Sequence, residues 1–223
     1  MKKGMILLLL VVGGCSSQVQ KLETCPNEIN EWADVLMYND IEYIGLGKEG
    51  GQRQKGEKLG EVSFQLADQA CADHQIENGD AAFLPEGTEI FESVGYRPDF
   101  RLIAGGRLFQ VHRNEAAETI KELYDIEGKV TKLSRESGND GSHMYDYSEE
   151  ETIAFIEDFL SLAYVGFDGI YSDIAYSNPV FLRLHLEDGS SFRISYWLDA
   201  NAVNPGAYAT DRMKSIIIEG GRG

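Results

Sequence analysis

The sequence predicts an α+β protein: a β-rich N-terminal unit followed by an antiparallel sheet packed by a capped helix. Three observations carry this reading. Residues 61–113 hold short apolar segments bounded by turn residues, with alternation rather than a helical period. "VFLRLHLEDGSSFRISYWL" reads as one long hairpin, and Ser148-Glu149-Glu150-Glu151 is a capping-box pattern ahead of an apolar run.

Taken in order, residues 15–30 are polar and without a period, which reads as a tether to a β-rich domain at 31–113. Trp32 to Tyr43 is apolar and aromatic enough to begin the fold, whereas Gly45 to Gly60 reads as a Gly/Lys loop. "EVSFQL" and "GTEIFESVG" follow as strands, and "RLIAGGRLFQV" folds back on itself around Gly105-Gly106. A two-residue loop there sets Leu102 opposite Phe109 and Phe100 opposite Val111, so apolar side chains meet on one face. Residues 114–223 change character and form the α+β domain. "AAETIKELYDI" reads as a short helix and "GKVTKLSRES" as a strand. In the capped helix Ile153, Ile156, Phe159, Leu160 and Ala163 share a stripe, and three acidic residues in the first turn suit the helix dipole.

The long hairpin has two candidate registers. A two-residue Asp188-Gly189 loop would set Leu184 against Arg193 and mix the faces. A three-residue loop, Glu187-Asp188-Gly189 with glycine in the left-handed position, instead sets Leu184 opposite Phe192, Leu182 opposite Ile194 and Val180 opposite Tyr196. The second builds a continuous apolar face on which the capped helix should pack. "DRMKSIII" fits either a helix or an edge strand.

The 223-residue chain has a formal net charge of −17 and 43% hydrophobic residues, an ordinary content for a folded protein. The acidic balance argues against nucleic acid, where binding depends on Lys and Arg displacing counterions, and against lying flat on an anionic membrane.

Residues 1–14 look like a leader. Lys2 and Lys3 precede an eight-residue apolar run, Met5 to Val12, far short of the about twenty residues that span a bilayer. Val12-Gly13-Gly14-Cys15 resembles the lipobox of bacterial lipoproteins, with Val12 where Leu is commonest. The resemblance implies a signal peptide cut before Cys15 and a diacylglycerol on the Cys15 thiol, placing the protein on the extracytoplasmic face of the cell membrane. Two acyl chains hold a protein stably where one does so marginally. Beyond the leader, the chain loosely resembles small lipoproteins of Gram-positive bacteria, a likeness that carries no active-site residues. Two cysteines remain, Cys25 and Cys71. An exported chain favours their pairing, worth about 4 kcal/mol on the loop-entropy argument; two free thiols are the alternative, since Cys25 lies close to the tether.

Other motifs carry little. Gly45-Leu46-Gly47-Lys48-Glu49-Gly50 matches G-x-G-x-x-G, but Gly51 to Gly56 favours a loop where the dinucleotide motif needs a helix. Glu57 stands where a phosphate loop needs lysine. Cys71-Ala72-Asp73-His74 is only half a zinc site, and the acidic stretch of Asp140-Gly141, Asp146 and Glu149 to Glu151 fails the EF-hand ligand register, because with Gly141 as the turn glycine Tyr147 stands where the bidentate Glu should be. No G-x-S-x-G elbow occurs. No cofactor and no metal are expected.

One surface stands out. With the leucine face of the hairpin buried, the other face carries Arg183, His185, Arg193 and Trp197, and Arg183 lies directly opposite Arg193. Like charges paired across strands are mildly destabilising, so an anion should compensate them. An anionic ligand or envelope partner would do so, as would an acidic patch of the same chain. The leading expectation is a non-enzymatic lipoprotein that binds a partner or envelope component. A cell-envelope hydrolase with a site gathered from distant segments and a structural spacer or stress-related protein are the alternatives.

Overall fold

Two sheets, each drawn from one half of the chain, meet on a shared aromatic core. The computed structural model describes residues 32–47, 54–67, 69–71 and 73–220. The leader, Cys15, the tether with Cys25, and residues 48–53 of the Gly/Lys stretch lie outside the described residues.

The first sheet opens with β1 (Val35–Tyr38) and β2 (Ile41–Gly45), joined by Asn39-Asp40, both at positive φ as a tight hairpin turn requires. It continues with β3 (Lys55–Glu61), β4 (Phe64–Gln65), β5 (Asp80–Ala81), β6 (Glu89–Ser93), β7 (Arg101–Ala104) and β8 (Arg107–Arg113). The spatial order is β3-β6-β7-β8-β2-β1-β5-β4, antiparallel except for the β4–β5 pair. Leu102 faces Phe109 across Gly105-Gly106, both glycines left-handed, and the Val111 N–H donates to the Phe100 carbonyl. Residues 55–61 are a strand rather than part of a loop. β3 is the sheet edge, and its lysines and glutamates blunt that edge: Lys58 bridges Glu61 on its own strand and Glu89 on β6. "EVSFQL" is likewise divided between the end of β3 and β4.

A single turn, α1 (Ile120–Leu123), leads into the second half. Its strands are β9 (Val130–Glu136), β10 (His143–Asp146), β11 (Val180–Leu186), β12 (Ser191–Trp197), β13 (Ala202–Val203) and β14 (Ala207–Tyr208), ordered β10-β9-β11-β12-β13-β14 and all antiparallel. The β11–β12 hairpin takes the three-residue loop: Leu184 pairs with Phe192, Leu182 with Ile194, Val180 with Tyr196, and Gly189 has φ +76°. The helices are α2 (Glu149–Ser161), α3 (Gly166–Ile174) and α4 (Asp211–Glu219), so "DRMKSIII" is a helix, capped by Thr210.

α2 carries the full capping box, Ser148 accepting from the Glu151 N–H and Glu151 accepting from the Ser148 N–H. Its buried stripe is Thr152, Phe155, Ile156, Phe159 and Leu160. This corrects the expected stripe. Phe155 and Ile153 lie on nearly opposite sides of a helix, the larger ring takes the core, and Ile153 is left exposed; Ala163 lies beyond the helix end.

One core cluster runs through both sheets, from Leu36, Tyr43, Phe100 and Phe109 to Phe159, Leu184, Phe192 and Tyr196. Tyr124, just after α1, stands at the junction. Its ring lies 5.6 Å from Phe100, 5.5 Å from Phe192 and 6.1 Å from Phe159. Arg101, fully buried on β7, crosses the same seam. It donates to Gln110 Oε1 at 2.8 and 3.1 Å, to Ser190 Oγ at 2.8 Å and to Asp188 at 3.3 Å, beneath the rings of Tyr96 and Phe100.

Candidate functional site

The structure brings Arg183, His185 and Arg193 to one side of the β11–β12 hairpin and then supplies the counter-charge of the arginines from within. Arg183 and Arg193 are cross-strand partners, as the register demands. Glu136 of β9, only 5% exposed, sits beside both: Arg183 Nε and Nη2 donate to its two carboxylate oxygens, and Arg193 Nε lies 2.9 Å from Oε2. Arg193 also lies over the Phe181 ring, 3.8 Å from its centroid. The repulsion that called for an external anion is met by the chain itself.

His185 and Trp197 have separate settings. His185 Nε2 lies 2.7 Å from Ser134 Oγ, whose hydroxyl donates to Asp146 Oδ1 at 2.9 Å. The serine proton is thereby committed to Asp146, so the imidazole donates to Ser134. A nucleophilic serine needs the opposite polarity, a base that accepts its proton. Burial, then the charges of Lys132 and Arg183, hold the His185 pKa below its ordinary value. Burial acts to raise the Asp146 pKa, but hydrogen bonds from His143, Ser134 and Lys132 outweigh it and bring it down to about 2. Trp197 points to the same side of the sheet but is buried under α3 against Ile170, Ile174 and Ala202. It is a core residue there, which corrects its assignment to an open face.

Cys71 is disulfide-bonded. Cys15 and Cys25, the only other cysteines of the chain, lie outside the described residues. His74, the other end of the half zinc motif, pairs with the buried Asp80 at 2.7 Å and stacks on Phe64. No metal-holding group of three or more His, Cys, Asp or Glu side chains occurs among the described residues, and no described helix is long and apolar enough to cross a membrane.

A concave surface lies where the two halves meet. A cleft of about 510 Å³ is walled on one side by Glu42, His112, Arg113 and Glu115, and on the other by Tyr164, Val165, Gly166, Phe167 and Asp168. The walls are tied together by backbone. Thr119 forms an isolated bridge with Ala163, the Tyr164 N–H donates to the Glu118 carbonyl at 2.8 Å, and the Val165 N–H donates to the Gly206 carbonyl at 2.8 Å. Gly206 has φ +141°, and a Cβ there would collide with the Gly166 backbone, so only glycine lets the β13–β14 turn approach the start of α3. On the first wall Glu42 and Arg113 are cross-strand partners 3.3 Å apart.

α3 forms a shelf beside the cleft. Phe167, Ile170, Tyr171 and Ile174 follow an i, i+3, i+4, i+7 pattern, one apolar stripe of a helix. Only half of it is covered: Ile170 and Ile174 are buried on Trp197, whereas Phe167 and Tyr171 are 44% and 58% exposed. Their rings lie 6.1 Å apart, and Phe167 is anchored 6.3 Å from Trp197. Tyr208 extends the shelf, its hydroxyl donating to Asp173 at 2.6 Å. The sequence holds this four-residue pattern openly, but Gly166 and Gly169 weaken its helical signal, and nothing in the sequence alone marks the stripe as a site. No family model, no curated protein and no solved structure matches the chain.

Proposed function

We propose that this protein is a lipid-anchored lipoprotein on the extracytoplasmic face of the cell membrane, a non-enzymatic binding or accessory protein that works through the junction cleft. The observation that carries the binding half is the uncovered aromatic flank of α3 at the rim of a cleft built from both sheets. Exposed aromatic side chains grouped beside a concavity are characteristic of interaction sites. Binding is favoured over hydrolysis because no acid–base pair of the cleft is held in hydrogen-bond reach: Glu115 is 85% exposed, and His112, 58% exposed, approaches Glu42 only to 3.9 Å.

The anchor half rests on the Val12-Gly13-Gly14-Cys15 pattern and gains support from the disulfide at Cys71, a bond that persists in oxidising compartments. The two features constrain each other. A diacylglyceryl thioether consumes the Cys15 sulfur, which leaves Cys25 as the partner of Cys71. Peptide mapping of the membrane-extracted protein without reduction tests both at once. The expected result is an N-terminal peptide beginning at a diacylglyceryl-modified Cys15 and a Cys25–Cys71 cross-linked pair. A Cys15–Cys71 pair, or Cys15→Ala protein that still sediments with membranes, would overturn the anchor.

A further inference from the structure

We infer that the junction cleft and the α3 shelf receive a lysine- or arginine-bearing segment of a partner protein. This rests on the binding function proposed above and names its occupant. Charge complementarity is the first ground. The cleft sets Glu42, Glu115 and Asp168 against one arginine, and Arg113 is already matched by Glu42. That leaves Glu115, 3.9 Å from Arg113 and almost fully exposed, on one wall, and the exposed Asp168 on the other. A cationic side chain entering between them meets a carboxylate on either side.

The aromatic flank is the second ground. Phe167 and Tyr171, tilted 54° to one another, are both exposed, and Phe167 lines the cleft beside Asp168. Ring faces carry partial negative charge and attract ammonium and guanidinium groups, Arg more often than Lys. A cleft of about 510 Å³ is of the size that takes a few side chains rather than a whole domain.

The field of the whole molecule selects in the same direction. A formal charge of −17 steers cations inward and repels polyanions. Asp168 and Asp173 flank the exposed rings, so the shelf is equally ill suited to an anionic bilayer surface. A neutral glycan could stack on the rings but would gain nothing from the net charge of the cleft.

The test uses the mature lipidated chain in nanodiscs and three probes: a short lysine- and arginine-rich peptide, the same peptide with glutamates in their place, and a neutral oligosaccharide. Binding is followed by calorimetry at low and high salt. The basic peptide is expected to bind, weakening about 10-fold in Glu115→Gln/Asp168→Asn and by a similar factor in Phe167→Ala/Tyr171→Ala. All four side chains are exposed, so the fold should tolerate their loss. Glu149→Gln/Glu150→Gln removes the same charge from the exposed start of α2 and should leave binding unchanged. Equal weakening in that control, equal binding of the glutamate peptide, or no binding of the basic peptide would overturn the inference. Binding of the oligosaccharide alone, lost in Phe167→Ala/Tyr171→Ala, would overturn the cationic occupant while leaving the proposed function standing. Failure of the anchor is read separately, from the Cys15 peptide.

Discussion

Replacing Glu136 by Gln tests whether one carboxylate holds the Arg183/Arg193 pair. Glu136 is 5% exposed and accepts from both arginines, while Arg183 and Arg193 retain 17% and 36% exposure. At 2.9 Å and an effective dielectric of about 20, a single Glu136–Arg193 attraction is roughly 6 kcal/mol before desolvation is charged against it. Glutamine keeps one acceptor oxygen and turns the other into an amide donor, so one guanidinium meets a donor instead of an acceptor. The two arginines, directly opposite on β11 and β12, then repel without a counter-charge. Breaking a buried pair typically costs about 3–5 kcal/mol. Arg193 can turn its head to water over Phe181, which places the expected loss at the low end, about 3 kcal/mol. For a chain of this size that is a fall in Tm of about 6–12 °C, partly restored by salt. Thermal and urea unfolding of the mature chain measure it. A change below about 0.5 kcal/mol, within the range of an ordinary surface substitution, would refute the reasoning and reopen the arginine face to an external anion.

Three further outcomes follow from the same structure. Arg101→Met should lower stability by about 3 kcal/mol in urea unfolding, because it takes both donors from Gln110 Oε1 and the guanidinium from Asp188 at the seam between the sheets; an unchanged midpoint would show that the apolar packing of the shared core joins them without it. For His185 the folded pKa is held below the unfolded one by burial, Lys132 and Arg183, with Asp146 and Glu136 opposing. Its contribution is therefore complete above about pH 6.5 and lost as pH falls toward the folded value, so Tm should decline below about pH 6.5 in the wild type and do so less steeply in His185→Gln. Gly206→Ala should displace the start of α3, lowering Tm and shifting Trp197 fluorescence together; a fluorescence spectrum identical to wild type would mean that the turn absorbs the methyl without moving the cleft wall.

Legibility in the sequence followed how local the determining interaction is. The β11–β12 register could be read because only one of the two loop lengths sets the leucines against Phe192 and Ile194, and the α2 start because its cap lies within four residues. β3 could not be read, since an edge strand needs no alternation and its Gly/Lys/Glu composition suits an edge as well as a loop. The counter-ion of the arginines lies 47 residues before Arg183, on a strand with no mark of its role. The cleft combines residues 42, 112, 113, 115, 117 and 164–168, a conjunction that only the tertiary fold makes.

The two surfaces are linked through Trp197. Its place on β12 put it with the arginines, and α3 took it from them by laying Ile170 and Ile174 against its ring. Helical geometry then fixes the rest. Residues 167 and 171 share the stripe of 170 and 174, so a helix that seats one pair on Trp197 carries the other out beside it. Gly206 admits the helix at that distance, and the Val165–Gly206 hydrogen bond sets its starting point at the cleft. The exposed rings are therefore held in place by the core beneath them: Phe167 touches Trp197, and Tyr208 is tied to Asp173 on α3. A shelf fixed in this way meets a partner with little ordering left to do, which lowers the entropic cost of binding. Gly206→Ala should accordingly weaken the basic peptide even though no atom of residue 206 lines the cleft.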